Sequence, residues 1–267
     1  MTDTSQHGRE RPSAESPKTR ALEVEGLTHS FGAVDVLSDA SFGVEEGTVA
    51  ALVGPNGSGK TTLLRAILGL LGPDAGSVTL PPPAPSGRRI GYLPQAPSFR
   101  PAFTVGETLQ FYADLLDGEA NVDATLDRVG LSAVRDRRVD ALSGGMTRLL
   151  GVGQAILGNP PLVVLDEPTG DLDPRMTEYI FEVAADLADD GTTVLLATHN
   201  LTGAAETDAV AVLDRGRIVG SGPPEELSAS VDAASLREAF LALTAREAGD
   251  DEGDPSIRVR TRGGDGA

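Results

Sequence analysis

The sequence predicts an α/β domain with a mainly parallel sheet, flanked by antiparallel strands and interrupted by a helical subdomain. Three observations predict it. Short apolar runs alternate with stretches of helical spacing, the pattern of a layered α/β core. A glycine-rich loop, GPNGSGKT at residues 54–61, stands between one such run and one such stretch. A largely helical segment over residues 106–150 breaks the alternation and reads as an insertion.

Residues 22–48 alternate apolar and polar around turn signals (LEVEGL, then SFGVEEG), which predicts antiparallel strands. Residues 48–53 (TVAALV) are a buried strand, and residues 62–68 (TLLRAIL) begin a helix. Residues 81–88 (PPPAPSGR) are a proline-rich connection that can be neither helix nor central strand. Strand character returns at residues 89–93. Within the 106–150 segment, Leu109, Tyr112, Leu115 and Leu116 keep helical spacing. Leu162–Asp166 is a buried strand after the Pro160-Pro161 breaker. Residues 176–189 are a helix with Ile180, Val183, Ala184 and Leu187 on its apolar face, and Thr193–Thr198 is another apolar strand. Residues 209–213 and 217–219 flank an Asp-Arg-Gly turn and form a hairpin. Residues 223–245 open on two prolines and continue as helix. The expected division is a polar tail over 1–20, one domain over 21–245 with its helical subdomain at about 100–158, and a charged, Gly-rich tail over 246–267. No internal repeat is visible.

Composition narrows the function. The chain has 267 residues, and its 40% hydrophobic content supports an ordinary core. No apolar run nears the roughly 18–20 residues that cross a bilayer. The N-terminus lacks the apolar segment of a secretory signal, so a cytoplasmic protein is expected. The absence of cysteine excludes disulfides, thiolate metal sites and a cysteine nucleophile. A net charge of −18 argues against nucleic acid or anionic lipid as the main partner. Lys18 and Lys60 are the only lysines beside 40 acidic residues, a halophile-like balance in which high salt screens the self-repulsion.

Residues 54–61 match G-x-x-x-x-G-K-[ST], a loop that cradles phosphates. Its glycines, Gly54, Gly57 and Gly59, let backbone N–H groups approach phosphate oxygens. Lys60 supplies a point charge for the β- and γ-phosphates, and the Thr61 hydroxyl is a hard oxygen ligand suited to Mg²⁺. The loop leads into a helix N-terminus, where anions are favoured. The strand Leu162–Asp166 ends in Asp166 and Glu167. A parallel strand delivers its C-terminal residues to the ligand crevice, where Asp166 can hold Mg²⁺ through water and Glu167 can accept a proton from attacking water. Residues 142–146 (LSGGM) place a serine and two glycines before a helical run, a second anion site. One domain binding one ATP has no use for it, so it is expected to serve the ATP of another subunit.

With these motifs in this order, the chain resembles the ATP-binding subunits of ATP-binding-cassette (ABC) transporters over roughly residues 22–242. The resemblance implies a P-loop ATPase core with an antiparallel β-subdomain and an inserted helical subdomain. It implies ATP and Mg²⁺ as ligands, held by Gly54, Pro55, Asn56, Gly57, Ser58, Gly59, Lys60, Thr61 and Thr62. Gln95 in GYLPQAP matches the glutamine that senses Mg²⁺ and the γ-phosphate and faces the membrane subunit. Ser143, Gly144 and Gly145 match the signature motif, and Asp166 and Glu167 the metal-holding and base pair. Asp171-Leu172-Asp173 matches the loop at the dimer seam, and His199 the switch histidine. Phe31 falls where an aromatic stacks on adenine, while His7 and His29 are expected to be surface residues.

Three positions depart from the family pattern. Met146 replaces the common glutamine of the signature, and Asp171 a small residue of the seam loop. The segment between Leu80 and Ile90 is short and proline-rich, which predicts a trimmed β-subdomain. The implied partner is a separate transmembrane permease that carries the protein on the inner face of the membrane. The implied assembly is a head-to-tail homodimer, or a heterodimer with a related ATPase. The SGGM signature resembles that of exporter-type ATPases and of those serving copper delivery or nitrous oxide reductase maturation. An importer ATPase for metal ions or small solutes shares every motif, and a soluble ABC ATPase outside transport is the remaining class.

Overall fold

The computed structural model describes residues 19–246. A central sheet carries β3 (Val49–Val53), β5 (Ile90–Leu93), β6 (Leu162–Asp166), β7 (Thr193–Thr198), β8 (Ala209–Asp214) and β9 (Arg217–Gly222) in the order β5-β6-β7-β3-β8-β9. All neighbours are parallel except β8 and β9. Strands β3, β6 and β7 are buried at every residue. Burial on both faces is why they read as unbroken apolar runs. The predicted hairpin is β8–β9. Its turn takes positive φ at Arg215 (44°) and Gly216 (79°), the handedness that matches strand twist.

A smaller antiparallel sheet has the order β2-β1-β4, from β1 (Arg20–Phe31), β2 (Val34–Glu45) and β4 (Ala75–Thr79). Strand β4 was not legible in the sequence. Only Val78 of AGSVT is even partly buried, so no alternation marks it. In β1 the buried residues shift from Leu22 and Val24 to Leu27 and His29, across a register shift at Gly26 (φ 59°). A bulge of this kind moves every later side chain to the opposite face. His29 is therefore buried at 7% exposure, which corrects its expected surface position.

Eight α-helices complete the described residues: α1 (Lys60–Ile67), α2 (Val105–Ala113), α3 (Val122–Arg128), α4 (Gly144–Ile156), α5 (Pro174–Asp189), α6 (Leu201–Ala204), α7 (Pro224–Ser230) and α8 (Leu236–Arg246). Helix α2 starts at a capping box between Thr104 and Glu107 and ends at Ala113. The helical spacing read through Leu115 and Leu116 thus overran the helix, and Leu115 is 67% exposed. Helix α5 begins with the Asp173 side chain accepting from Met176 N and with Pro174 in its first turn. It buries Ile180, Val183, Ala184 and Leu187, the face its spacing predicted.

The core lies on both faces of the large sheet. One cluster joins Val163, Leu165 and Val194 to helices α2–α5. A second joins Leu52, Val164 and Leu195 to α1 and the small sheet, and a third joins Val53, Val210 and Val212 to α6, α7 and α8. Helix α4 sits tightly on β5. A Cβ on Gly91 would stand 1.9 Å from the Ala155 carbonyl oxygen, and one on Gly151 2.4 Å from Leu93. The proline-rich connection helps to fasten it, since Arg88 donates to the Gln154 and Leu157 carbonyls at the end of α4. No described helix is long and apolar enough to cross a membrane. The expectations for the two tails and for His7 lie outside the described residues, apart from Thr19, whose carbonyl accepts from Glu46 N, Arg20, which begins β1, and Arg246, which ends α8.

Candidate active site

The glycine loop connects β3 to α1 and is built for close approach. A Cβ on Gly54 would meet the Leu213 carbonyl oxygen at 2.2 Å. Gly57 (φ 83°) and Gly59 (φ 105°) take left-handed conformations, which glycine adopts without a steric cost. Gly59 caps α1 with no side-chain bond to the first turn, so the N–H groups there remain available to an anion. The Ser58 hydroxyl is buried and finds no hydrogen-bond partner among the described residues. Lys60 Nζ donates to the carbonyls of Gly54 (2.7 Å) and Pro55 (3.1 Å). Burial lowers the Lys60 pKa, while Glu167 and Asp166 oppose the shift.

Two adjacent strands supply the acid–base groups. Asp166 ends β6, buried at 5% exposure, and Glu167 follows it in a left-handed backbone conformation (φ 48°). His199 follows β7, and its Nδ1 lies 2.8 Å from Glu167 Oε2. The Asp166 carboxyl is pushed above the usual range, first by burial and then by the neighbouring Glu167 charge. The phenol of Tyr92, on β5, lies near Asp166 and favours its charged form. Burial and the Asp166 charge raise the Tyr92 pKa in turn.

Most of these residues line two adjoining clefts. The first, of about 690 Å³, is lined by Gly54, Asn56, Gln95, Arg148, Glu167, Asp171 and His199, among others. The second, of about 280 Å³, is lined by Gly57, Gly59, Lys60, Thr61, Thr62, Gln95, Asp166 and Glu167, with Val36 at its edge. Thr61, Gln95 and Asp166, the expected metal ligands, thus meet in one place. Their donor set is a hydroxyl, an amide carbonyl and a carboxylate, which suits a hard divalent cation. The orphaned Ser58 hydroxyl and the glycine cradle suit the phosphates that would accompany it.

Four expected residues stand apart. Phe31 is 51% exposed at the end of β1 and lines neither cleft. It packs edge-to-face on His29, with ring centroids 4.7 Å apart, and offers its free face outward. Ser143 and Gly144 are exposed, and neither they nor Gly145 line a cleft of this subunit. The Ser143 side chain accepts from Met146 N and caps α4. A Cβ on Gly144 would touch nothing within 4 Å. Two residues that sequence reasoning missed enter the site: Tyr92, beside Asp166, and Arg148, whose Nη1 donates to the Gln95 carbonyl at 2.6 Å. Both act on partners dozens of positions away, so no local pattern marked them.

Comparison with known proteins settles the family. The family model described as ABC transporter matches residues 37–170. The chain belongs to the ABC transporter family. It is the ATP-binding, ATP-hydrolysing subunit of an ABC transporter. It is 39% identical to the Nod factor export ATP-binding protein I of Ralstonia nicotianae (strain ATCC BAA-1114 / GMI1000), over 78% of this chain and 69% of that protein. Among solved structures it is similar to an ATP-binding subunit of an ABC transporter, with 28% identity and a TM-score of 0.74 over 84% of this chain and 99% of the other. It is similar also to an ABC-transporter cassette in its ADP conformation, with 28% identity and a TM-score of 0.71 over 84% and 99%.

Proposed function

We propose that this ABC ATPase works as a head-to-tail dimer that drives a separate membrane-spanning permease, in the direction of export. The observation that carries the dimer is the exposure of Ser143 and Gly144 outside both clefts of their own subunit. A serine-capped helix start with free N–H groups is an anion site, and the γ-phosphate of a second subunit's ATP is the fitting occupant. The export direction is supported by the likeness to a Nod factor export ATP-binding protein.

In the proposed cycle the loop amides and Lys60 hold the phosphates, and the Phe31 ring stacks on adenine. Thr61 and Gln95 would ligate Mg²⁺, with Asp166 bonding its water shell. Bound there, Mg²⁺ would neutralise charge on the phosphates. Glu167 takes a proton from the attacking water, and His199, held by Glu167, steadies the γ-phosphate. ATP bridges the two subunits, and hydrolysis removes the bridge. The dimer then opens, and residues from about 100 to 158, together with the Gln95 loop, pass that movement to the permease at the inner face of the membrane. The net charge of −18 argues against nucleic acid as the main partner.

The test is co-purification from membranes solubilised in high-salt buffer. Recovery of a multi-span permease alone supports export. A permease with a solute-binding protein reverses the direction, and the absence of any membrane partner defeats the proposal.

A further inference from the structure

Arg148 belongs to α4, the helix that Ser143 caps, yet its side chain reaches the loop after β5. Its Nη1 donates to the Gln95 carbonyl at 2.6 Å. Among the described residues no other hydrogen bond is made to residues 95–99. Pro94 just before that loop and Pro97 within it carry no backbone donor. Arg148 also lines the same cleft as Gln95, Glu167, Asp171 and His199. Burial lowers its pKa, and the charges of Asp171, Asp166 and Glu167 hold the guanidinium in its charged form.

We propose that Arg148 is a positioning residue for Gln95. Its hydrogen bond fixes the loop that presents the Gln95 amide to the Mg²⁺ position, and so ties the signature helix to the hydrolytic site of the same subunit. The inference rests on the reading that Gln95 meets Mg²⁺. A ligand amide on a loop with one polar anchor depends on that anchor, because metal geometry tolerates little displacement. A purely electrostatic role makes the opposite prediction. Removing a cation beside three carboxylates would tighten Mg²⁺ binding, not weaken it.

The experiment compares the full-length wild type with Arg148→Ala and Arg148→Lys. Trinitrophenyl-ATP binding is followed by fluorescence, first without metal and then through a Mg²⁺ titration of the nucleotide complex. Metal-free nucleotide binding stays within about two-fold in all three proteins. The Mg²⁺ half-saturation point rises about 10-fold or more in Arg148→Ala, the loss typical when a metal ligand's support is removed. Arg148→Lys recovers most of it, since an ammonium also donates to a carbonyl. Unchanged or tighter Mg²⁺ binding in Arg148→Ala overturns the inference, as does a parallel loss of metal-free binding. A wild type that shows no Mg²⁺ dependence brings down the Gln95 reading, and the inference with it.

Discussion

Glu167 Oε2 and His199 Nδ1 lie 2.8 Å apart, delivered by the adjacent parallel strands β6 and β7. Two neighbouring strand ends thus place a carboxylate and an imidazole in mutual contact at the mouth of one cleft. Glu167→Gln keeps the shape and the hydrogen-bonding reach but loses the basicity. Steady-state ATP hydrolysis should fall about 10²–10⁴-fold, the range that general-base catalysis contributes. Equilibrium nucleotide binding should persist. A variant hydrolysing ATP at the wild-type rate would exclude Glu167 as the base.

Asp166 is held at a cost to the nucleotide-free fold. Its folded-state pKa lies above the ordinary 3.8 because burial, first, and Glu167, second, disfavour its charge. The folded protein then binds more protons than the unfolded chain, so stability falls as pH rises from 3.8 through the raised value. Asp166→Asn should melt at a higher temperature than the wild type at neutral pH, and the gap should close as the pH is lowered through that window. Its Mg²⁺-dependent ATPase should be lost. Melting curves across pH, paired with hydrolysis assays, check both.

Tyr92 lies near Asp166 and favours its charged form, against the burial that raises its pKa. Tyr92→Phe removes the phenol hydroxyl that favours the charged carboxylate. The acidic limb of the ATPase pH profile should move to higher pH. An unmoved limb would mean that Asp166 ionisation does not govern that limb.

Two glycines in this fold should respond in opposite ways. Gly91→Ala drives a Cβ against the Ala155 carbonyl oxygen, where α4 rests on β5. Overpacking of that kind costs about 1–3 kcal/mol or more. Gly144→Ala meets open space in the monomer, so its stability should stay within about 0.5 kcal/mol of the wild type. Because Gly144 is proposed to face a partner's phosphate, the same variant should lose ATP-driven association. Denaturant melts and sedimentation with ATP separate the two effects.

The legible parts were those with strong local signals. Unbroken apolar runs gave β3, β6 and β7, because burial on both sheet faces leaves no room for polar residues. The glycine loop and the Asp166–Glu167 pair were legible because phosphate and metal chemistry restrict residue type and spacing tightly. What stayed hidden depended on long-range context. Strand β4 pairs only with β1 and is almost wholly exposed, so its sequence carries no periodicity. His29 was misjudged because the bulge at Gly26 changes the phase of burial partway along β1. Leu115 followed helical spacing beyond the Asp114 C-cap of α2. Tyr92 and Arg148 act on Asp166 and Gln95, which only the folded chain brings near them.

The most direct measurement is sedimentation velocity of Glu167→Gln with saturating ATP and Mg²⁺, beside the same protein carrying Ser143→Arg as well. A site shared between two subunits predicts an ATP-dependent dimer in the first and a monomer in the second, because the arginine fills the space owed to the partner's phosphate. A Glu167→Gln protein that stays monomeric, or a dimer that survives Ser143→Arg, would contradict it.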